Sequence, residues 1–375
     1  MARKFLRALV AVSAFAAVTT AFSAQAQTAG ETVFVMSNAA NRNEVIAYRQ
    51  FRDGHFYEAG HYATGGRGSG GLTDPLQSQG SLTLSTDHSL LFAANAGSGT
   101  VSVFRVYRST LLLIDQVPSG GSDPLAVAQH GNLVYVLNAA GSGSIVAFRL
   151  EFGGHLRQMH DSTTYLSAAN SGGSSISISP NGAFLSVTER LPNNIDTFRI
   201  GANGRLAPIV VNTSAAPGVF AATFAPEGNL VVSETGPAGG VDESAISSYT
   251  VQQDGTLSAV SQSIPTLGSA NCWNAVAPNG KWVYVSNAAS STISGFAIGR
   301  SGALTPIADT VLGTNPSGST NLDIAVSGDS KYVFTLDSGS GTISVFEIQS
   351  DGSLTSAGEM DGLPKTAGFN GIAAL

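Results

Sequence analysis

The stretch KWVYVSNAASSTISGFAI, from Lys281 to Ile298, decides the fold because the chain repeats it closely as KYVFTLDSGSGTISVFEI, from Lys331 to Ile348. In the first copy, Val283 and Val285 alternate with other side chains at the period of two that is typical of a strand. A short turn rich in small polar residues divides each copy. Each copy therefore predicts two strands joined by a tight turn.

The same unit occurs seven times along the chain. A polar residue ends its second strand, at Asn38, Asn95, Asn138, Glu189, Glu234, Asn287 and Asp337. An aromatic residue follows in its third strand, at Tyr48, Phe104, Phe148, Phe198, Tyr249, Phe296 and Phe346. Asn-Gly and Asp-Gly pairs favour tight hairpins because these residues tolerate positive φ. Seven such units predict an all-β protein, a seven-bladed β-propeller of four-stranded antiparallel blades.

The two ends of the repeat array predict how the propeller closes. The first copy begins at its second strand, TVFVMSN, whereas FNGIAAL at the end of the chain has no partner strands after it. We expect this last segment to be the innermost strand of blade 1. A solenoid of sheets, the alternative architecture, would need capping repeats, and none is apparent.

The chain begins with a predicted secretory leader. Arg3, Lys4 and Arg7 precede an apolar run, and the small-residue pattern at Ala24 and Ala26 predicts cleavage after residue 26. We expect residues 1–26 to be the signal peptide and residues 27–375 to form a single propeller domain. A periplasmic or secreted protein follows from this prediction.

Composition excludes several classes of partner. The net charge is −7, and removal of the basic leader makes the chain more acidic, so nucleic acid and anionic membranes are not expected partners. One cysteine, Cys272, permits no disulfide within the chain. We expect a monomer, with neither a metal nor a cofactor.

Blade connectivity predicts where a site would lie. Links between blades and the turns between second and third strands fall on one face, near the axis, where a pocket can form. The candidate catalytic residues on this face are Glu189, Glu234 and Arg190, and the candidate ligand-binding residues are Gln79, Phe220, Cys272, Trp273 and Asn287.

Each candidate also has a structural interpretation. Asn, Asp and Ser at the ends of second strands habitually cap turns, although Glu is a poorer cap of this kind. Two converging carboxylates, Glu189 and Glu234, could divide acid and base roles if their pKa values differ. Cys272 is interpreted as a buried structural thiol rather than a nucleophile, since no histidine is placed to activate it. Trp273 is either an aromatic platform at the pocket mouth or a core residue.

Two loops resemble binding motifs. The run GGRGSGG, residues 65–71, lacks the following helix that a phosphate cradle needs, so we interpret it as a flexible link. The loop TGPAGGVDESAI is a candidate rim wall, and its Asp242 and Glu243 lack the spacing of metal ligands.

The segments SPNGAFLSVTE, APNGKWVYVSNAASSTISGFAIGRSGALTPI and LTLSTDHSLLFAANAGSGTVSVFRV resemble the seven-bladed lactonase family, which includes propeller-type 6-phosphogluconolactonases and the fungal carboxymuconate cyclase. The resemblance implies lactone hydrolysis or a cycloisomerase-like reaction. Family members carry a Pro-Arg-His run and an Asn-Glu pair; here APGVFAATFAPEGNLVVSE keeps Pro217 and Glu234, without the Arg and His. An exported protein also does not meet intracellular sugar phosphates.

Two functional hypotheses follow. The first is an exported lactonase-like hydrolase that uses Glu234 and Glu189 without a metal, with Arg190 holding the oxyanion. The alternative is a non-catalytic propeller that binds a small lactone or sugar-like ligand, or a protein partner, on the same face.

Overall fold

The structure, a computed structural model, describes residues 30–375, so the predicted leader lies outside the described residues. These residues form seven antiparallel sheets arranged as the blades of a propeller. Two 3-10 helices accompany them, Ala96–Ser98 and Phe152–Gly154. Within the described range no helix has the length and apolar character needed to cross a membrane.

Blades 1 to 3 are built from the first twelve strands and the last one. Blade 1 contains β29 (Ile372–Ala374), β1 (Thr32–Met36), β2 (Glu44–Gln50) and β3 (Phe56–Ala63). Blade 2 contains β4 (Leu82–Leu84), β5 (Leu90–Asn95), β6 (Thr100–Tyr107) and β7 (Thr110–Pro118). Blade 3 contains β8 (Pro124–His130), β9 (Leu133–Asn138), β10 (Ser144–Leu150), β11 (Leu156–Gln158) and β12 (Thr164–Tyr165).

Blades 4 to 7 each have four strands in chain order from the axis outward. Blade 4 contains β13 (Gly173–Ile178), β14 (Phe184–Glu189), β15 (Asn194–Arg199) and β16 (Val210–Thr213). Blade 5 contains β17 (Val219–Phe224), β18 (Leu230–Glu234), β19 (Ala245–Val251) and β20 (Leu257–Pro265). Blade 6 contains β21 (Asn271–Val276), β22 (Trp282–Asn287), β23 (Thr292–Ile298) and β24 (Leu304–Thr314). Blade 7 contains β25 (Asn321–Val326), β26 (Tyr332–Asp337), β27 (Thr342–Ile348) and β28 (Leu354–Met360).

The ring closes as the sequence predicts. Strand β29 pairs antiparallel with β1, with Phe34 opposite Ala373. A buried carboxylate also ties the closing strand to blade 7, because Asp323 Oδ2 accepts the backbone N–H of Ile372 at 3.1 Å. Closure removes the exposed sheet edges that an open array would have near the axis.

Blade 3 departs from the predicted four-stranded pattern. Its outer edge is split into β11 and β12, which both pair with β10. Ser162 lies between them, and its hydroxyl donates to the carbonyl of Ala147 at 3.1 Å. The N–H of Ala147 donates to the same hydroxyl at 3.3 Å, so a side chain takes the place of a backbone acceptor where the outer strand is interrupted.

The core lies between adjacent blades. The seven aromatic residues predicted in the third strands are all buried, at Tyr48, Phe104, Phe148, Phe198, Tyr249, Phe296 and Phe346. Two buried tyrosine hydroxyls donate to carbonyls of the next blade, Tyr135 to Gly204 at 2.8 Å and Tyr284 to Gly352 at 2.9 Å. The repeated phrase is thus mainly blade-building sequence.

Candidate functional site

The link between blades 1 and 2, residues 64–81, crosses the hub of the propeller. The carbonyl of Ser78 accepts the indole N–H of Trp273 in blade 6 at 2.9 Å. The Ser78 hydroxyl donates to the carbonyl of Leu125 in blade 3 at 3.0 Å. Because blades 3 and 6 are not neighbours, this link bridges the central channel.

Gln79 completes the bridge. Its Nε2 donates to the carbonyl of Asn274 at 2.7 Å, and its Oε1 accepts the N–H of the same residue at 3.1 Å. The Gln79 N–H donates to the carbonyl of Ser174 in blade 4 at 2.9 Å. The amide predicted to bind a ligand is therefore used to hold the link across the hub.

A cavity of about 530 Å³ opens on the predicted face, beside this link and between the inner strands of blades 6 and 7. Its walls are Thr73, Asp74, Ala270, Cys272, Trp273, Ala288, Ala289, Ser290, Ser291, Thr314, Asn315, Ser317, Gly318, Thr320 and Leu322. The volume suits a small organic ligand. Asp74 is the one charged side chain among these walls, and none of them is Lys, Arg or His.

Left-handed backbone is concentrated at this cavity. Asp74, Ala270, Ser291 and Thr320 have φ values of 40°, 56°, 54° and 46°. Residues with a Cβ adopt this region at an energetic cost, and the cost is greatest for β-branched residues such as threonine. Conformational strain of this kind is common around functional sites, where the surrounding fold must maintain it.

Asp74 is a candidate base. It is partly buried, and its Oδ1 accepts the N–H of Gln77 at 3.0 Å and the Nδ2 of Asn370 at 3.1 Å. Burial raises the pKa of Asp74 to about 6, although these hydrogen bonds and the positive charge of Arg190 oppose the rise. A carboxylate with a pKa near neutrality can accept a proton from water and return it.

Arg190 lies at the hub side of blade 4, in the turn after β14. Its Cζ is 5.8 Å from the ring centroid of Phe220, whose ring packs edge-to-face against Trp273 with centroids 5.0 Å apart. Among the described residues Arg190 makes no ion pair within 4 Å, and its Nε has no hydrogen-bond partner. The structure thus gathers Arg190, Phe220, Trp273, Cys272 and Asp74 around one part of the hub.

A β-bulge explains how Cys272 reaches the cavity. The innermost strands of blades 3 to 7 all shift register at the same place, opposite the end of the second strand. In blade 6 the shift lies between Asn271 and Trp273, so Cys272 is the extra residue. Bulges re-aim side chains in this way near binding sites. Alternation read from the sequence alone does not reveal the shift.

The environment of Cys272 and Trp273 fits their interpretation as a buried thiol and a core residue. Burial raises the pKa of the Cys272 thiol, and the negative charge of Asp74 raises it further. A neutral thiol is a weak nucleophile. Trp273 is fully buried, with its N–H committed to the link, so it is a core residue at the cavity wall rather than an open platform.

The two predicted catalytic glutamates do not line the cavity. Glu189 is fully buried, and its oxygens accept the N–H and the hydroxyl of Ser167 at 2.8 and 2.9 Å. Although burial alone would raise its pKa, hydrogen bonds from Asp196 and neighbouring serines lower the pKa of Glu189 below its ordinary value. Burial and the adjacent Glu189 raise the pKa of Asp196 to about 9, which favours the protonated acid at neutral pH.

Glu234 is likewise enclosed within its blade. Its Oε1 accepts the Ser214 hydroxyl at 2.7 Å and the Ala216 N–H at 2.9 Å, and its Oε2 accepts the Ser247 hydroxyl at 2.7 Å. Burial raises the pKa of Glu234, and these three hydrogen bonds oppose the rise. The catalytic assignment of both glutamates stays a prediction, but this geometry favours a role in holding the fold.

The remaining polar ends of second strands are likewise buried. Asn287 is fully buried and its Nδ2 donates to Ser294 at 2.8 Å. A Cβ on Gly268, in the link before blade 6, would lie 2.4 Å from the side chain of Asn287, so only glycine allows this close approach. Each of the seven residues contacts the link that enters its blade, Asn287 by packing against Gly268 and the others by hydrogen bonds. We name these residues the anchor positions: Asn38, Asn95, Asn138, Glu189, Glu234, Asn287 and Asp337.

Within residues 30–375, no cluster of three or more His, Cys, Asp and Glu side chains is arranged to hold a metal ion.

Comparison with known proteins adds the family. The family described as "Lactonase, 7-bladed beta-propeller" matches residues 125–235 and 224–368. The chain belongs to this lactonase family. The resemblance expected from the repeats is therefore confirmed, and so is the seven-bladed fold. No curated protein sequence matches the chain.

Solved lactonase-family structures share the fold at low identity. A proposed 6-phosphogluconolactonase from Bacteroides uniformis has a TM-score of 0.69 and 18% identity, covering 93% of this chain and 100% of that chain. The periplasmic gluconolactonase of Pseudomonas aeruginosa has a TM-score of 0.62 and 17% identity, covering 91% and 99%. At this identity, the two likenesses show the fold alone.

Proposed function

We propose that the protein hydrolyses a lactone without a phosphate group in the cavity beside the hub link, with Asp74 as the general base. One observation carries the proposal: a partly buried carboxylate with a pKa of about 6 is the one charged wall residue of a cavity of about 530 Å³. Membership of the lactonase family supports the reaction class.

The chemistry follows from the positions of the groups. Ionised Asp74 takes a proton from water, and the resulting hydroxide attacks the lactone carbonyl carbon. The carbonyl oxygen becomes an oxyanion, which the wall hydroxyls stabilise directly, while the positive charge of Arg190 acts from outside the walls. Collapse breaks the ring C–O bond, and the leaving alkoxide receives the proton from Asp74, which yields a hydroxy acid. No metal is required for these steps.

The walls select against phosphorylated substrates. Recognition of a phosphate normally uses Arg, Lys or backbone N–H groups of a helix N-terminus. Here the cavity offers a carboxylate, which repels a phosphate, together with neutral hydroxyls such as Ser290 and Thr320. The predicted leader and the fold likeness to a periplasmic gluconolactonase support action in the periplasm or outside the cell.

A lactone panel tests the proposal. We expect the purified protein to release acid from glucono-δ-lactone or δ-valerolactone faster than the buffer does, and to leave 6-phosphoglucono-δ-lactone untouched. Asp74→Asn should lower kcat/KM by about 100-fold. Asp361→Asn, at an exposed carboxylate, is the matched control and should retain full activity. Full activity of Asp74→Asn would overturn the assignment; binding of lactones without turnover would favour a non-catalytic ligand-binding propeller.

A further inference from the structure

Four large apolar side chains are exposed on the cavity face. They lie in four different loops, with exposed fractions of 71% for Leu72, 75% for Leu191, 74% for Val241 and 53% for Leu267. These loops are the link between blades 1 and 2, the second turns of blades 4 and 5, and the link between blades 5 and 6. We name these four residues the apolar rim.

Two residues of the apolar rim adjoin the cavity wall or Arg190 beside it. Leu72 precedes the wall residues Thr73 and Asp74 directly. Leu191 follows Arg190, and both side chains reach Gly172: a Cβ there would lie 3.3 Å from the guanidinium and 3.5 Å from the Leu191 Cγ.

The other two residues of the apolar rim, Val241 and Leu267, lie in segments that adjoin the opposite wall of the cavity. Leu267 begins the short segment that reaches the wall residue Ala270. The loop that carries Val241 is fixed to this segment, because the N–H of Asp242 donates to the Ser269 hydroxyl at 2.8 Å. The rim therefore extends the site outward on two sides of its walls.

One rim residue has an unfavourable backbone as well as an exposed side chain. Leu267 has a φ of 55°, in the left-handed region where a leucine costs free energy that a glycine would not. Single exposed apolar residues are ordinary, but several around one site mark a binding surface. The net negative charge of the chain disfavours an anionic lipid surface as the occupant.

We infer that the substrate is a lactone with a hydrocarbon substituent, whose ring enters the cavity while the substituent lies along the apolar rim. This inference rests on the proposed function. Burial of each methylene against the rim adds binding energy that an unsubstituted ring cannot obtain. The inference therefore predicts a dependence on chain length.

A homologous series of δ-lactones measures this dependence. We expect kcat/KM for hydrolysis to rise by about twofold for each methylene between δ-valerolactone, δ-octalactone and δ-decalactone, since an open rim buries each methylene only in part. The double variant Leu72→Ser with Leu191→Ser removes half of the apolar rim, so it should reduce the slope of the rise and leave δ-valerolactone hydrolysis unchanged. Phe152→Ser, at a fully exposed aromatic on the opposite face, is the matched control and should keep the rise.

The outcomes separate the two proposals. If no lactone is hydrolysed, the proposed function fails. If δ-valerolactone is hydrolysed but kcat/KM is flat along the series, or the slope of the rise is undiminished in the double variant, the substrate inference alone fails. Leucine-dependent co-sedimentation with phosphatidylcholine vesicles, together with a flat series, would assign the rim to a lipid surface and overturn the inference.

Discussion

Replacement of Glu234 by alanine tests whether this glutamate anchors the fold or performs catalysis. The change removes three hydrogen bonds to an ionised acceptor, from the Ser214 hydroxyl, the Ala216 N–H and the Ser247 hydroxyl. Bonds to charged groups contribute about 1.5 to 3 kcal/mol each. Removing a buried carboxylate also relieves a desolvation penalty of several kcal/mol. We therefore expect the free energy of unfolding to fall by about 3 kcal/mol.

Urea unfolding followed by tryptophan fluorescence measures the change. Glu227→Ala is the matched control, because Glu227 is an exposed glutamate on the opposite face and its loss should cost less than about 0.5 kcal/mol. Glu234→Gln keeps one acceptor oxygen and the shape of the side chain, so its cost should be intermediate. Lactone hydrolysis per folded molecule should be unchanged in all three variants.

A specific result would refute this reasoning. If Glu234→Ala unfolds at the same urea concentration as the unchanged protein and has lost hydrolysis, then Glu234 is catalytic and its enclosure in blade 5 has been misjudged. Loss of stability with retained hydrolysis supports the anchor role. Measuring the two properties on the same preparation keeps these outcomes distinct.

Three further predictions concern the hub and the buried acids. Gln79→Ala should lower the free energy of unfolding, measured in urea, by about 2 kcal/mol, because the N–H and carbonyl of Asn274 lose their hydrogen-bond partners. Gln253→Ala, at an exposed glutamine, is the control and should leave it unchanged. Native Asp196, with a pKa raised from 3.8 to about 9, holds its proton more tightly than the unfolded chain, so its contribution to stability falls as pH rises between these values. The difference in melting temperature between Asp196→Asn and the unchanged protein should therefore shift in favour of the variant from pH 5 to 9. The kcat/KM for lactone hydrolysis should rise with pH around an apparent pKa of about 6, the value for ionisation of Asp74.

The fold could be predicted from the sequence because its determinants repeat. Each copy carries the alternation, the hairpin turns and the buried aromatic, so seven weak signals support one another. The closing strand was predictable because a blade lacks one strand at the start of the array and FNGIAAL remains at its end. The split edge of blade 3 was not, since it depends on one hydroxyl, that of Ser162.

The candidate site was much less predictable. A cavity lies on the predicted face, and Cys272 and Trp273 are among its walls. Asp74, in contrast, is an isolated acid in a link of small residues, and no spacing distinguishes it from a turn residue. Its raised pKa comes from a link that folds over the hub, held by Gln79 through a contact 195 residues away in the chain. Such long-range contacts leave no local pattern.

At several anchor positions, the choice between an amide and a carboxylate has a physical cause that the sequence does contain. In blade 2, the Ser102 hydroxyl donates its proton to the carbonyl of Thr64 at 2.7 Å, so its oxygen accepts from Asn95 Nδ2 at 2.8 Å. In blade 6, Ser294 and Asn287 have the same relation, at 2.8 Å. An anchor that faces a serine already donating elsewhere must itself donate, which asparagine can do and a carboxylate cannot.

In the blades whose anchor position is Glu or Asp, the direction of the hydrogen bond between the serine and the anchor is reversed. Ser247 donates to Glu234 at 2.7 Å, and Ser344 donates to Asp337 at 2.5 Å, so in both cases the anchor must be an acceptor. In blade 4, residue 196 follows its anchor by seven positions, as Ser102 and Ser344 follow theirs, but it is an aspartate. Asp196 can replace the donating serine only by keeping its proton, and burial together with the adjacent Glu189 raises its pKa to about 9. The pairing of two acids in blade 4 is thus a variant of a serine–carboxylate anchor, which accounts for it without assigning it a catalytic role.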